Sequence, residues 1–215
     1  MSPSSPTSPP ASQPEPFRAT VRSMLRDRLL DAAAYAFSKE GWRRLTMATI
    51  ADRAGVSRQT VYNEFGSKQS LAEQLVMREL DVFLDVVRQR ITEEDDFTAG
   101  VRAAVDGALE LAEDNALLRS VLESGHTGDT ELLPYIFQSQ GLIDRATDFL
   151  HELVVVKFPD LPLQGARLSV ALETVVRLVL SPVTQPSRPR GETADDIAWL
   201  IGTVVAGART VPPIS

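Results

Sequence analysis

Apolar residues between positions 22 and 90 recur with the period of a helix. Leu25, Leu29, Ala32, Ala33, Ala36 and Phe37 lie at i, i+3 and i+4 spacing and Gly41 follows Glu40 as a stop, predicting a helix from Arg22 to Glu40. Thr46 opens a short helix carrying Met47, Ile50, Ala51 and Ala54, which Gly55 ends. Ser57 is placed to cap the next helix, Arg58 to about Phe65, and Gly66-Ser67 restarts the chain into a long helix from Lys68 to about Arg90. Leu71, Leu75, Leu80, Phe83, Leu84 and Val87 mark the inner side of that long helix.

Five further helical stretches are expected at about 97–113, 116–123, 129–156, 164–181 and 193–208, with breaks at Gly125–Gly128, at Pro159 and Pro162, and across Pro182 to Gly191. No strand alternation or internal repeat is visible, so the expected class is all-α with about nine helices. Residues 1–17 hold six Pro and five Ser with almost nothing apolar, the composition of a disordered tail that cannot bury a core. The expected organisation is that tail, a DNA-binding unit at 18–68 and a larger helical unit at 69–215 for effector binding and dimerisation.

Charge changes this picture. The net charge of −7 would speak against a nucleic-acid partner, but residues 18–68 hold ten Lys/Arg against five Asp/Glu, whereas residues 69–215 hold twelve against twenty-three. A basic front on an acidic body is an electrostatic footprint that the total conceals. With no Cys and only His126 and His151, thiolate chemistry and a His-rich metal site are ruled out, and no metal or cofactor is expected. No nucleophile–base set or phosphate loop points to an enzyme. The longest uncharged apolar run, Ile197 to Ala208, is too short to span a bilayer, so the expected location is cytoplasmic with no membrane partner.

The chemistry is concentrated in residues 46–68, two short helices meeting at the turn Gly55-Val56-Ser57. Gly55 supplies a positive φ, Val56 drops between the helices, and Ile50, Ala51, Val56 and Val61 make the apolar seam that fixes their crossing. Such a helix-turn-helix leaves the other face of its second helix free for the major groove of double-stranded operator DNA. That face holds Arg58, Gln59, Thr60, Tyr62 and Asn63. Arg can bond a guanine edge bidentately, Gln or Asn an adenine edge, and a Thr methyl can touch thymine. Thr46 at a helix N-terminus, and Lys68 at the start of the following helix, suit phosphates.

The run Ala33…Phe37…Gly41-Trp42…Thr46…Ile50-Ala51…Ala54-Gly55-Val56-Ser57…Thr60-Val61-Tyr62…Phe65…Ser67-Lys68…Leu71 resembles the TetR family signature over about residues 25–75. The resemblance implies a three-helix DNA-binding domain, a larger helical regulatory domain, homodimerisation through the last two long helices, and repression relieved by a small ligand. Thr46, Ser57, Arg58, Gln59, Thr60, Tyr62, Asn63 and Lys68 match the positions that commonly touch DNA, with Tyr62 on the phosphate backbone. Glu64 departs from the pattern: a carboxylate near phosphates is repelled, so it is expected to point away or pair with a nearby Arg.

Other residues have two readings. Arg18, Arg22, Arg26 and Arg28 form either an arm for phosphates or the minor groove, or a solvated helix face partnered by Asp27 and Asp31. The stretches 164–181 and 193–208 are apolar almost all round and need cover on every side. A second subunit contacting Leu172, Val176, Val179, Ile197, Trp199, Leu200 and Val204 would supply it, burial within one chain being the other solution. For a small-molecule effector, fatty-acid-like or otherwise acyl-chain-like, the candidate wall and handles are Leu118, Leu122, His126, Tyr135, Phe137, Gln138, Phe149, Val175 and Arg177. Glu173 and Arg177, spaced i,i+4, are equally a structural ion pair. A DNA-binding protein without an effector, activating or recruiting a protein partner, is the alternative function.

Overall fold

The computed structural model describes residues 15–115, 118 and 140–208, and these form helices joined by turns, with no strand among them. The elements are α1 (Glu15–Glu40), α2 (Met47–Ala54), α3 (Arg58–Phe65), α4 (Lys68–Thr92), α5 (Phe97–Asp114), α6 (Gln140–Lys157), α7 (Gly165–Thr184) and α8 (Arg190–Ala208). The expected helix at 116–123, the first part of the one at 129–156, and Leu122, His126, Tyr135, Phe137 and Gln138 lie outside the described residues.

Side-chain caps set several boundaries. Thr46, Ser57, Ser67 and Asp96 each accept a hydrogen bond from the backbone N–H three residues on, opening α2, α3, α4 and α5. Gly55 closes α2 at φ 66°, and its N–H and that of Val56 satisfy the last carbonyls of the helix. A Cβ at this φ is strained, so Gly55→Ala should cost about 1 kcal/mol and lower the thermal midpoint by about 2–4 °C in a calorimetric scan. An unchanged midpoint would show that the turn relaxes without cost.

Three expectations need correction. α1 starts at Glu15, so residues 15–17 are helical rather than tail, and Arg18, Arg22, Arg26 and Arg28 stand on a helix instead of a free arm. α7 runs through Pro182 to Thr184. Pro182 falls in the last turn, where the missing N–H removes one bond while Gln185 N–H still closes on the Ser181 carbonyl at 2.8 Å. α8 begins at Arg190, three residues before the expected start.

The buried apolar residues form two clusters. One joins Leu29, Ala33 and Phe37 of α1, Ile50 of α2, Val61 and Phe65 of α3, and Leu71, Ala72 and Leu75 of α4. The other joins Val101, Val105 and Leu109 of α5 to Val154, Leu168, Leu172 and the α8 stripe Ala194, Ile197, Ala198, Ile201 and Val205. α5 packs most extensively on α4 and α8. A rim of ion pairs follows the α5–α8 seam: Arg190 reaches Asp106 at 3.0 Å, and Arg102 pairs with Asp195, whose hydrogen bond and negative charge raise the arginine pKa. Arg78 pairs with Asp31 at 2.7 Å and so ties α4 to α1.

Candidate DNA-binding face and effector cavity

The turn brings the proposed DNA-contacting residues of α3 to one exposed side. Val61 is 0% and Phe65 4% exposed, so the apolar side of α3 is anchored in the first cluster. Arg58, Gln59 and Asn63 are exposed and Thr60 and Tyr62 half-buried. These side chains are held by partners four residues away: Arg58 donates to the Tyr62 hydroxyl at 3.2 Å, and Gln59 Nε2 to Asn63 Oδ1 at 2.8 Å. Ser57 and Thr46 spend their hydroxyls on caps and on neighbouring hydroxyls, Ser57 with Thr60 at 2.9 Å and Thr46 with Thr49 at 2.8 Å. Arg43 and Arg44, exposed in the turn before Thr46, add positive charge beside the helix pair.

Glu64 pairs with Arg22 at 3.1 Å and is withdrawn to 10% side-chain exposure. Of the two expected fates, pairing is the one realised, and it removes the one acidic charge of α3 from the phosphate side. Lys68 is also engaged: its ammonium donates to the Trp42 carbonyl at 2.6 Å and lies 4.6 Å from the Trp42 ring centroid. The start of α4 thus grips the α1–α2 turn, a structural duty beside the phosphate contact expected of Lys68.

Among the helices from α4 onward lies a cavity of about 230 Å³. It is lined by α4, α5, α6, α7 and α8, and the wall contributed by α4 runs from Ala72 to Ile91. At 1.5 Å per residue those positions span about 28 Å, so the space is long and narrow. One end, beside Lys68, is walled by Phe37 and Trp42, packed edge-to-face with centroids 6.0 Å apart. The other is walled by Phe97 and Phe158, edge-to-face at 5.3 Å, where the Lys157 ammonium bonds the Thr92 carbonyl at the end of α4. The polar side chains in the described wall are Glu79 and Asn115, and Asn115 Nδ2 donates to Glu79 at 2.7 Å. The amide orientation is set because Asn115 Oδ1 accepts the Leu118 N–H at 2.8 Å.

Of the expected effector residues, Leu118 and Val175 line this cavity. Phe149 and Arg177 do not: Phe149 lies under the Arg88 guanidinium at 4.7 Å, and Arg177 is half-exposed in the expected ion pair with Glu173 at 2.7 Å. The dimer-face expectation divides in the same way. Leu172 and Ile197 are each 6% exposed and so packed inside their own chain, whereas Val176 and Val179 are half-buried and line the cavity. Trp199, Leu200 and Val204 are 70%, 42% and 45% exposed. At about 100° per position Trp199 stands opposite the inward stripe of α8, while Leu200 and Val204, three and seven positions after Ile197, lie along the edge of that stripe, and Val204 also lines the cavity. Phe37, Trp42, Glu79 and Asn115 were not anticipated as cavity residues.

The likenesses to known proteins agree with this geometry. Residues 29–75 match the family described as bacterial regulatory proteins, tetR family, and residues 96–203 match the bacterial tetracyclin repressor C-terminal domain. The chain belongs to the TetR family. It is 32% identical over 192 residues to the HTH-type transcriptional regulator AlkX of Mycobacterium tuberculosis, covering 86% of this chain and 87% of that protein. It is 30% identical over 134 residues to the HTH-type transcriptional activator FasR of Mycolicibacterium smegmatis, covering 62% and 60%. The crystal structure of the TetR family repressor AlkX from Dietzia sp. strain DQ12-45-1b, implicated in biodegradation of n-alkanes, superposes with a TM-score of 0.69 at 22% identity, over 86% of this chain and 96% of that one. This TetR-family chain is therefore a DNA-binding transcriptional regulator, all-helical, from a family that binds operator DNA as dimers and responds to small-molecule ligands. No described helix is long and apolar enough to cross a membrane.

Proposed function

We propose that this regulator is a repressor that holds a two-fold operator through α3 and lets go when a single aliphatic chain fills the cavity. The observation carrying the reading is the shape and lining of that cavity: about 28 Å of α4 wall around only about 230 Å³, with apolar side chains nearly throughout its described wall. A channel of this kind suits one extended hydrocarbon better than a ring system or a multiply charged metabolite, whose desolvation needs many polar partners. The repressor named for n-alkane biodegradation supports the same class. An activator remains the second reading, since one relative is named as one.

The polar groups refine the class. Glu79 is an acceptor already bonded to Asn115, and no Lys or Arg stands in the described wall. A carboxylate ligand meets like charge there, so an alkane or long-chain alcohol fits better than the free fatty acid. Calorimetric titration of the apo protein with an alkane, an alcohol, a fatty acid and an acyl-CoA of equal chain length checks this. The alkane or alcohol should bind at least about tenfold more tightly than the free acid, a difference of about 1.4 kcal/mol. Tight binding of a polar aromatic metabolite with none by any aliphatic chain would overturn the reading.

Residues Thr46, Ser57, Arg58, Gln59, Thr60, Tyr62, Asn63 and Lys68 are proposed as the DNA-contacting set, the units 18–68 and 69–215 as the division of labour, and Trp199, Leu200 and Val204 as the core of the dimer face. Val170 of α7, 65% exposed, is a further apolar position for that face.

A further inference from the structure

The cavity and the core beneath the recognition helix share side chains. Phe37, Trp42, Ala72 and Leu75 line the cavity, and the same four belong to the buried cluster that holds Val61 and Phe65 of α3. Trp42 is the most connected of them. Its ring walls the end of the channel and packs edge-to-face on Phe37, while its carbonyl and ring hold the ammonium of Lys68, the first residue of α4. Only Gly66 and Ser67 separate that lysine from the end of α3.

A ligand shifts an equilibrium only through contacts that differ between the two states. A short chain lying towards Phe97 and Phe158 touches α5–α8 and the far end of α4 about Val87 and Ile91, away from the cluster that holds α3, and is expected to bind DNA-competent and DNA-incompetent forms alike. A chain reaching the far end presses on Phe37 and Trp42. Close-packed cores yield by switching arrangement rather than by stretching, so displacement there re-seats the Trp42–Lys68 contact and with it α3. We propose, building on the aliphatic-effector reading, that Trp42 is a positioning residue that reads chain length: binding and DNA release are separate properties, and release requires a chain long enough to reach the Phe37–Trp42 wall.

The test uses the full-length protein and a fluorescent duplex that it selects from a random pool. A series of n-alcohols of increasing length is titrated twice, by calorimetry against the free protein and by anisotropy against the protein–DNA complex. The expected result is a range of shorter alcohols that bind yet leave DNA affinity within about twofold, and a threshold length above which affinity falls at least about tenfold. Trp42→Leu should bind the long alcohols within about threefold of wild type and lose most of that release, a separation that general destabilisation does not give. If the variant fails to fold, by circular dichroism, the wild-type series decides alone. Release that tracks occupancy at every length, or full release from a folded Trp42→Leu, overturns the chain-length reading and leaves the effector reading standing. Absence of binding at every length overturns both.

Discussion

A Trp199→Glu variant is expected to run as a monomer and to lose nearly all operator binding while keeping its helical content. Trp199 is 70% exposed, Leu200 and Val204 beside it on α8 are 42% and 45% exposed, and none of the three belongs to the second buried cluster. A large apolar residue this exposed, in such company, marks an interaction surface. Burying a carboxylate there without a partner costs several kcal/mol, enough to abolish a micromolar dimer. A monomer presents one recognition helix and forfeits the second half-site, so DNA affinity falls with the association. Sedimentation and anisotropy on the same sample read both effects. A wild-type mass near 23.5 kDa at micromolar concentration, or a Trp199→Glu dimer, would contradict the assigned face.

Arg58→Ala and Gln59→Ala are each expected to cost about 1–3 kcal/mol in binding to the preferred duplex and to relax base preference at one position of each half-site. Both side chains are exposed on α3, bonded to Tyr62 and Asn63 across one turn, bonds that contact with base edges would exchange. Neither is in the buried core, so melting temperatures should hold. Lys68→Ala should differ: its ammonium bonds the Trp42 carbonyl, so the loss should weaken all duplexes alike and also lower stability. Unchanged affinity in both α3 variants would mean that α3 does not read the DNA.

Local signals were legible in the sequence and long-range phase was not. Thr46, Gly55, Ser57 and Gly66 act within a few residues of themselves, so the helix-turn-helix could be drawn before any tertiary contact was known. The fate of Glu64 was half legible: repulsion from phosphate required a neutralising partner, but Arg22 lies 42 positions away. In α7 and α8 apolar residues occur all round, and a helix without a polar stripe does not say which side faces its own core. That is why Leu172 and Ile197 were placed at an interface and are found buried. The cavity was least legible, because Phe37 and Trp42 sit within the pattern of an ordinary core and a side chain lining a void has the same sequence signature as one filling it. The start of α1 escaped for another reason: Pro and Ser dominate its surroundings up to Pro16, and composition averaged over the tail hid the turns between Glu15 and the predicted start at Arg22.

The most direct measurement of the central claim is one anisotropy titration of the selected duplex with and without a saturating long-chain alcohol. Tight, salt-dependent binding of a near-palindromic site whose half-sites lie about 34–36 Å apart or slightly more is expected, and loss of that binding when the alcohol is present. Moving the bound population from 99:1 to 1:99 requires the alcohol to favour the DNA-free form by about 5.5 kcal/mol. By linkage the duplex must weaken alcohol binding by the same factor. A duplex held equally well with the cavity filled and empty would contradict the account.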